Sequence, residues 1–195
     1  MPAKGDHDAR RRDVSEAVWR VLAAHGFDGL TLRAVAAEMG ASTGLLTHYF
    51  PSKKALVAHA LDLAEDRTVA GRLTPSGRGM AAVREVLADV LPISDTAVEM
   101  NRVWVSSWDA ALADPDLGAR ETGRYERIRS ERLRPFVEQA HDLGELPRDA
   151  DLDDVTATLV AFTHGLTVQV LFDPDRFPPE RQLALLDGML TALSG

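Results

Sequence analysis

The chain has no cysteine, which excludes a disulfide framework, a thiolate metal site and a cysteine nucleophile. Strand-like alternation is rare along it. No apolar stretch approaches the roughly 20 residues that a membrane span needs. The start, MPAKGDHDARRRDV, carries basic residues with no apolar run behind them, so no secretory leader and no membrane partner are expected and a cytoplasmic location follows. The signatures of catalysis are missing too. There is no glycine-rich phosphate loop after a strand, no H-E-x-x-H pair and no nucleophile elbow. The run DADLDD lacks the length and alternation of a calcium loop and reads as a helix N-terminus favoured by the dipole. Ser106, Ser107 and Asp109 cluster without a histidine nearby in sequence to activate them. The expectation is a protein that is not an enzyme and uses no cofactor and no metal.

What is present points to helices. The 195 residues, 45% of them hydrophobic, suit one or two ordinary domains with a sizeable core. Breakers fall at helical intervals and predict an all-α chain of about nine helices. The first spans about 9–24 and ends at His25-Gly26. Thr31 caps a second that runs through Met39, and Gly40 turns the chain. Ser42 caps a third that ends near Tyr49-Phe50, and Pro51-Ser52 opens a fourth. TPSGRG is a linker. Further helices cover about 79–91, 95–112 and a long run to His141, the last with Asp114 as cap and Pro115 in its first turn. Asp151 or Asp153 caps the eighth, and Pro178 or Pro179 opens the ninth.

Charge is unevenly placed. Residues 1–54 balance at +2 and residues 55–195 at −10, so the N-terminal part alone can approach a polyanion without net repulsion. Within it, the second and third predicted helices are joined by so short a turn that they cross steeply. Ala36 and Gly40 are small enough for the backbones to meet there, and Val35, Met39 and Leu46 face a shared core. This is the pattern of a helix-turn-helix, whose second helix enters the major groove. Ser42, Thr43 and Gly44 permit close approach to a duplex. Thr47, His48 and Tyr49 lie farther along, where they can reach phosphates, and Lys53 stands at the next helix N-terminus. Spacing alone leaves open a plain three-helix packing with a solvated basic face. Arg10, Arg11 and Arg12 read either as an arm on the DNA backbone or as a frayed tail.

The segment GFDGLTLRAVAAEMGASTGLLTHYFPSKKAL resembles the N-terminal domain of TetR-type transcriptional regulators. The likeness is carried by the Gly26-Phe27 junction, the Thr31 cap, the AAEMGAS turn, the H-Y-F end of the third helix and the Ser-Lys start of the fourth. It implies a DNA-binding domain at 1–51, with Thr31, Ser42, Thr43, His48, Tyr49 and Lys53 on DNA. It also implies a ligand-sensing and dimerisation domain at 52–195. Leu45 and Thr47 depart from the commoner pattern of Thr and Tyr and bear on base preference. Leu45 can touch a thymine methyl. GLLTHYF and FTHGLTVQVLFDP resemble the BetI-type subgroup, which responds to choline.

The acidic remainder is then expected to sense and to pair. The eighth helix is apolar on two sides, so it needs a partner beyond its own core. Val160, Thr163, Thr167 and Leu171 on it, with Leu183, Leu186 and Leu190 on the ninth, are the expected homodimer interface. Trp104 and Trp108, four apart and one turn from Met100 and Asn101, could wall an effector pocket with Tyr125, Ile128, Phe162 and Gln169. They could equally be plain core. Indole faces suit an organic cation. The expected partners are thus an operator duplex, a second copy and a small-molecule effector. A ligand-independent regulator or activator, and a helical binding protein without DNA readout, remain as alternatives.

Overall fold

The computed structural model describes residues 4–194, with side chains from Arg10 onward. Its elements are α1 (Lys4–Gly29), α2 (Leu32–Glu38), α3 (Thr43–Tyr49), α4 (Lys53–Gly71), α5 (Gly79–Ala88), α6 (Asp95–Ala113) and α7 (Pro115–Arg127). A π-helical segment (Ile128–Leu133) leads into α8 (Arg134–Asp142), followed by α9 (Leu152–Phe172) and α10 (Pro179–Ser194). Because α7, the π segment and α8 follow without a break, the described residues form nine helical rods and no strand, as the sequence predicts.

The chain divides into two compact units. One takes the chain up to Gly71 together with Arg102–Leu117; the other takes Arg72–Asn101 together with the chain from Gly118. The boundary therefore falls inside α6, a division that no breaker in the sequence announces.

In the first unit α1 packs on α2 and α4, and α2 on α3. Leu22, Val35, Leu46 and Leu56 are fully buried among them. Regular helix in α1 stops at Gly26, whose φ of 64° lies in the left-handed region that glycine enters freely. Gly40, at φ 60°, closes α2 in the same way. The Ala41 N–H donates to the Ala36 carbonyl at 2.9 Å and the Gly40 N–H to the Ala37 carbonyl at 3.1 Å, the double bond of a Schellman ending. A Cβ at Gly40 would meet nothing within 4 Å. The glycine thus serves the dihedral angle and not the close crossing expected of it, while the buried Ala36 does supply a small contact.

In the second unit Leu91, Leu133, Val137, Leu159 and Leu186 form the centre of one core fed by α5, the π segment, α8, α9 and α10. Asp151 caps α9, its carboxylate accepting from Asp153 N at 2.9 Å and Asp154 N at 3.2 Å. By length and composition α9 can cross a membrane, at 21 residues with a mean hydropathy of 1.5 in its most apolar window. This corrects the expectation that no stretch comes close to a span. Its apolarity has a nearer cause: Val155, Leu159, Val160, Leu166 and Val170 are buried in the unit's core.

Candidate nucleic-acid interface

Helix α3 is short, and Leu46 is its one fully buried anchor. The rest of its surface is left outward: Ser42, Thr43, Gly44, Thr47 and His48 are exposed. Thr31 caps α2, its hydroxyl accepting from Ala34 N at 3.0 Å. Ser42 occupies the cap position of α3 but makes no capping hydrogen bond, contrary to the expectation. Thr47 donates to the Gly44 carbonyl at 2.9 Å. In this arrangement the hydroxyl bonds back to its own helix, and as an exposed rotor it can turn its proton outward. Leu45 is half-buried, with less surface for a base than an exposed residue. His48 is exposed and meets the Tyr49 ring edge-on, centroids 5.8 Å apart, so it is not a packing residue.

Ser52 caps α4, accepting from Ala55 N at 3.1 Å, and sets Lys53 exposed in the first turn. The neighbouring Lys54 is used otherwise. Its ammonium donates to Asp116 at 2.6 Å and to Asp114 at 3.3 Å. The Asp116 and Asp114 bonds raise its pKa, and the Lys54 bond holds the Asp114 carboxyl below its ordinary range. Sequence alone could not separate the two lysines, because the carboxylates that take Lys54 lie about sixty positions away. Arg20 is likewise paired with Glu38 at 2.6 Å, and Arg67 with Glu16 at 2.9 Å. Arg67 also lies over the Trp19 ring, 4.4 Å from its centroid. The positive charge left for a polyanion is therefore Lys53, Arg33 and the Arg10–Arg12 run, none of which has a carboxylate partner among the described residues.

The residues expected around an effector are shared between the two units. Trp104 and Trp108 belong to the first unit, Met100, Asn101, Tyr125, Ile128, Phe162 and Gln169 to the second. Trp104 is buried and donates its indole N–H to the Thr68 hydroxyl at 3.0 Å. Asn101 donates its amide to the Val90 and Ala97 carbonyls, both at 2.9 Å, so its N–H donors are used within the protein. Ile128 packs on the core of the second unit. Tyr125 does meet polar company. Arg124, buried and paired with Glu121, lies 4.8 Å from its ring centroid, and the His164 ring is 5.1 Å away. His164 Nδ1 bonds the Val160 carbonyl at 2.8 Å, and burial lowers its pKa, which keeps the ring neutral.

Phe162 and Gln169 line a different feature, an open groove along α9 and α10 with Ala161, Gly165, Phe172 and Leu185. Of the seven residues expected to form a dimer interface, Val160, Thr163, Thr167, Leu186 and Leu190 are buried in the chain. Their surface is already covered by their own chain. Leu171 and Leu183 keep part of theirs. The outward side is held instead by residues the sequence reading passed over: Ala157, Ala161, Gly165, Phe172 at 84% exposure and Leu185 at 38%.

A short capped helix pair with an exposed second helix defines a helix-turn-helix DNA-binding regulator. Residues 15–60 match the pattern of bacterial regulatory proteins of the tetR family, and residues 79–195 match the C-terminal domain of BetI-type transcriptional repressors. The chain belongs to the TetR family and is a transcriptional repressor with a C-terminal ligand-binding domain of the BetI type. It is 30% identical over 189 residues to the transcriptional regulator PksA of Bacillus subtilis, covering 93% of this chain and 88% of PksA. It is 25% identical to BetI of Paraburkholderia phymatum, covering 99% of this chain and 97% of that one. A transcriptional regulator from Saccharomonospora viridis, solved in complex with choline, has the same fold, with a TM-score of 0.79 at 23% identity over 94% of this chain and 96% of that one.

Proposed function

We propose that this repressor binds a near-palindromic operator as a homodimer, blocks transcription there, and is released when a small molecule enters its C-terminal domain. The observation that carries the DNA half is the outward set on α3, namely Ser42, Thr43, Thr47 and His48, with Lys53 exposed beside it and without an ion-pair partner among the described residues. In this reading residues 1–51 form the DNA-binding domain and residues 52–195 the sensing and dimerisation domain. Two recognition helices about 34 Å apart would read successive faces of one duplex. Thr31, Tyr49 and Lys53 hold the backbone, while Ser42, Thr43 and Leu45 face bases. A repressor works where the chromosome is, which supports a cytoplasmic location.

For the dimer, the strip of small residues along α9 supports close approach of a second copy. A Cβ at Gly165 would meet nothing within 4 Å, so that side of the helix is open. Phe172 and Leu185 supply apolar surface beside it, and Leu171 and Leu183 add their exposed parts. Two helices from each copy then make a four-helix interface across a twofold axis.

The choline complex of the S. viridis regulator supports an organic cation as the first effector to test. Within this chain the Tyr125 ring already carries the Arg124 guanidinium, which a cation at that ring must displace. Calorimetry with choline and with glycine betaine decides the point: heat of binding supports the organic-cation reading, and its absence with both removes it. For the DNA half, a gel shift on the DNA upstream of this protein's own coding region is the direct test.

A further inference from the structure

Between α1, the end of α3 and the start of α4 lies a cleft of about 370 Å³, lined among others by Arg11, Ser15, Tyr49, Phe50, His59 and Asp62. We infer that this cleft seats a phosphodiester of the bound duplex, with Arg11 as the charge that holds it and the Tyr49 ring beside it. The inference rests on the DNA-binding reading above and adds to it a contact from a third helix.

Three observations carry it. First, the cleft is continuous with the interface already described. Tyr49 is the last residue of α3, Phe50 its C-cap, and Ala55, which also lines the cleft, lies in the first turn of α4 that Lys53 opens. Second, Arg11 is exposed and has no carboxylate partner among the described residues, whereas Arg20, Lys54 and Arg67 of the same unit are each paired. A guanidinium that stands at a cleft without a pair is suited to a phosphate, which it can bind through two parallel N–H donors. Third, the floor is built and not collapsed. The His59 ring is held by the Ser15 hydroxyl at 3.1 Å and packs on Phe50 with centroids 5.2 Å apart.

The charges facing the cleft decide its sign. Burial is the main cause that lowers the His59 pKa, and Arg11 lowers it further against the opposing carboxylates of Asp62 and Asp66. His59 is thus neutral near pH 7 and adds no charge. Arg11 attracts a phosphate and a carboxylate, Asp62, also lines the cleft, so the guanidinium acts on a phosphate at short range. The arginine run is then not an equivalent set: Arg11 lines the cleft, and Arg10 and Arg12 do not.

The test is fluorescence anisotropy with a labelled duplex taken from upstream of the protein's own coding region, titrated across salt concentration. Arg11→Gln is expected to weaken binding about tenfold and to lower the slope of log affinity against log salt by about one. Arg10→Gln and Arg12→Gln are expected to weaken binding and lower that slope clearly less than Arg11→Gln does. Equal losses from all three arginine variants would mean a diffuse basic arm and overturn the inference; so would no loss from Arg11→Gln. If Lys53→Ala weakens binding while Arg11→Gln does not, the cleft alone is wrong. If the wild-type chain binds no duplex, the DNA reading and the cleft fall together.

Discussion

At the scale of single residues, glycine and threonine show how local chemistry sets the DNA-binding head. Thr31 was legible because a cap needs only its own helix, and the Ala34 N–H is three residues away. Gly40 was legible as a turn, but its reason was not: the left-handed φ of 60° requires it, and open space surrounds it. Gly40→Ala should therefore destabilise the chain by about 1–2 kcal/mol, the cost of placing an L-residue there. Gly40→Asn should cost less, because asparagine enters that region more readily. Thermal melts of both variants check this, and equal losses would point to packing instead. The fate of the lysine pair was hidden, since Asp114 and Asp116 meet Lys54 only through the fold. Lys53→Ala is expected to weaken binding to every duplex and lower its salt slope by about one. Tyr49→Phe should weaken binding with the slope retained, because no charge is removed. If either variant changes base preference alone, its assignment to the backbone is mistaken.

At the scale of elements, α9 carried the clearest sequence signal and the most misleading one. Its apolar residues occupy more than one side, which suggested a partner beyond its own core, yet Val160, Thr163 and Thr167 turn to the chain's own core. The outward side is made of Ala157, Ala161 and Gly165, which an apolar stripe analysis overlooks because small residues contribute little hydrophobicity. The helix also sets a pH response through His164, which meets Tyr125 of α7. Burial lowers the folded pKa of His164, and His59 is lowered for the same reason. Between the folded value and the ordinary value near 6.5 the unfolded chain binds more protons than the folded one, so stability rises with pH there. Melting temperature should accordingly fall as pH drops through 6.5 toward 5.5. His164→Gln should flatten that fall if the mutant folds, and a wild-type melting temperature that is constant over this range would contradict the account.

At the scale of the whole molecule, the charge asymmetry and the helix count were readable because they sum over many residues. The division of the chain was not, since it cuts α6 between Asn101 and Arg102, where nothing in the local sequence breaks a helix. The expected effector residues belong to both units for the same reason: equal spacing on one helix said nothing about which unit each turn would join. In the proposed function, dimerisation is what turns one head into an operator reader. Gly165→Arg puts a long charged side chain on the open side of α9 and should shift the protein from dimer to monomer in analytical ultracentrifugation. Operator affinity should fall with it, toward that of a single half-site. A dimer that persists in Gly165→Arg would move the interface elsewhere. The most direct test of the central claim is anisotropy of an operator duplex with the wild-type chain and Lys53→Ala across salt. The account predicts tight, salt-sensitive binding by the wild type and weaker, less salt-sensitive binding by the variant. Identical curves for the two proteins, or no binding by the wild type, would contradict it.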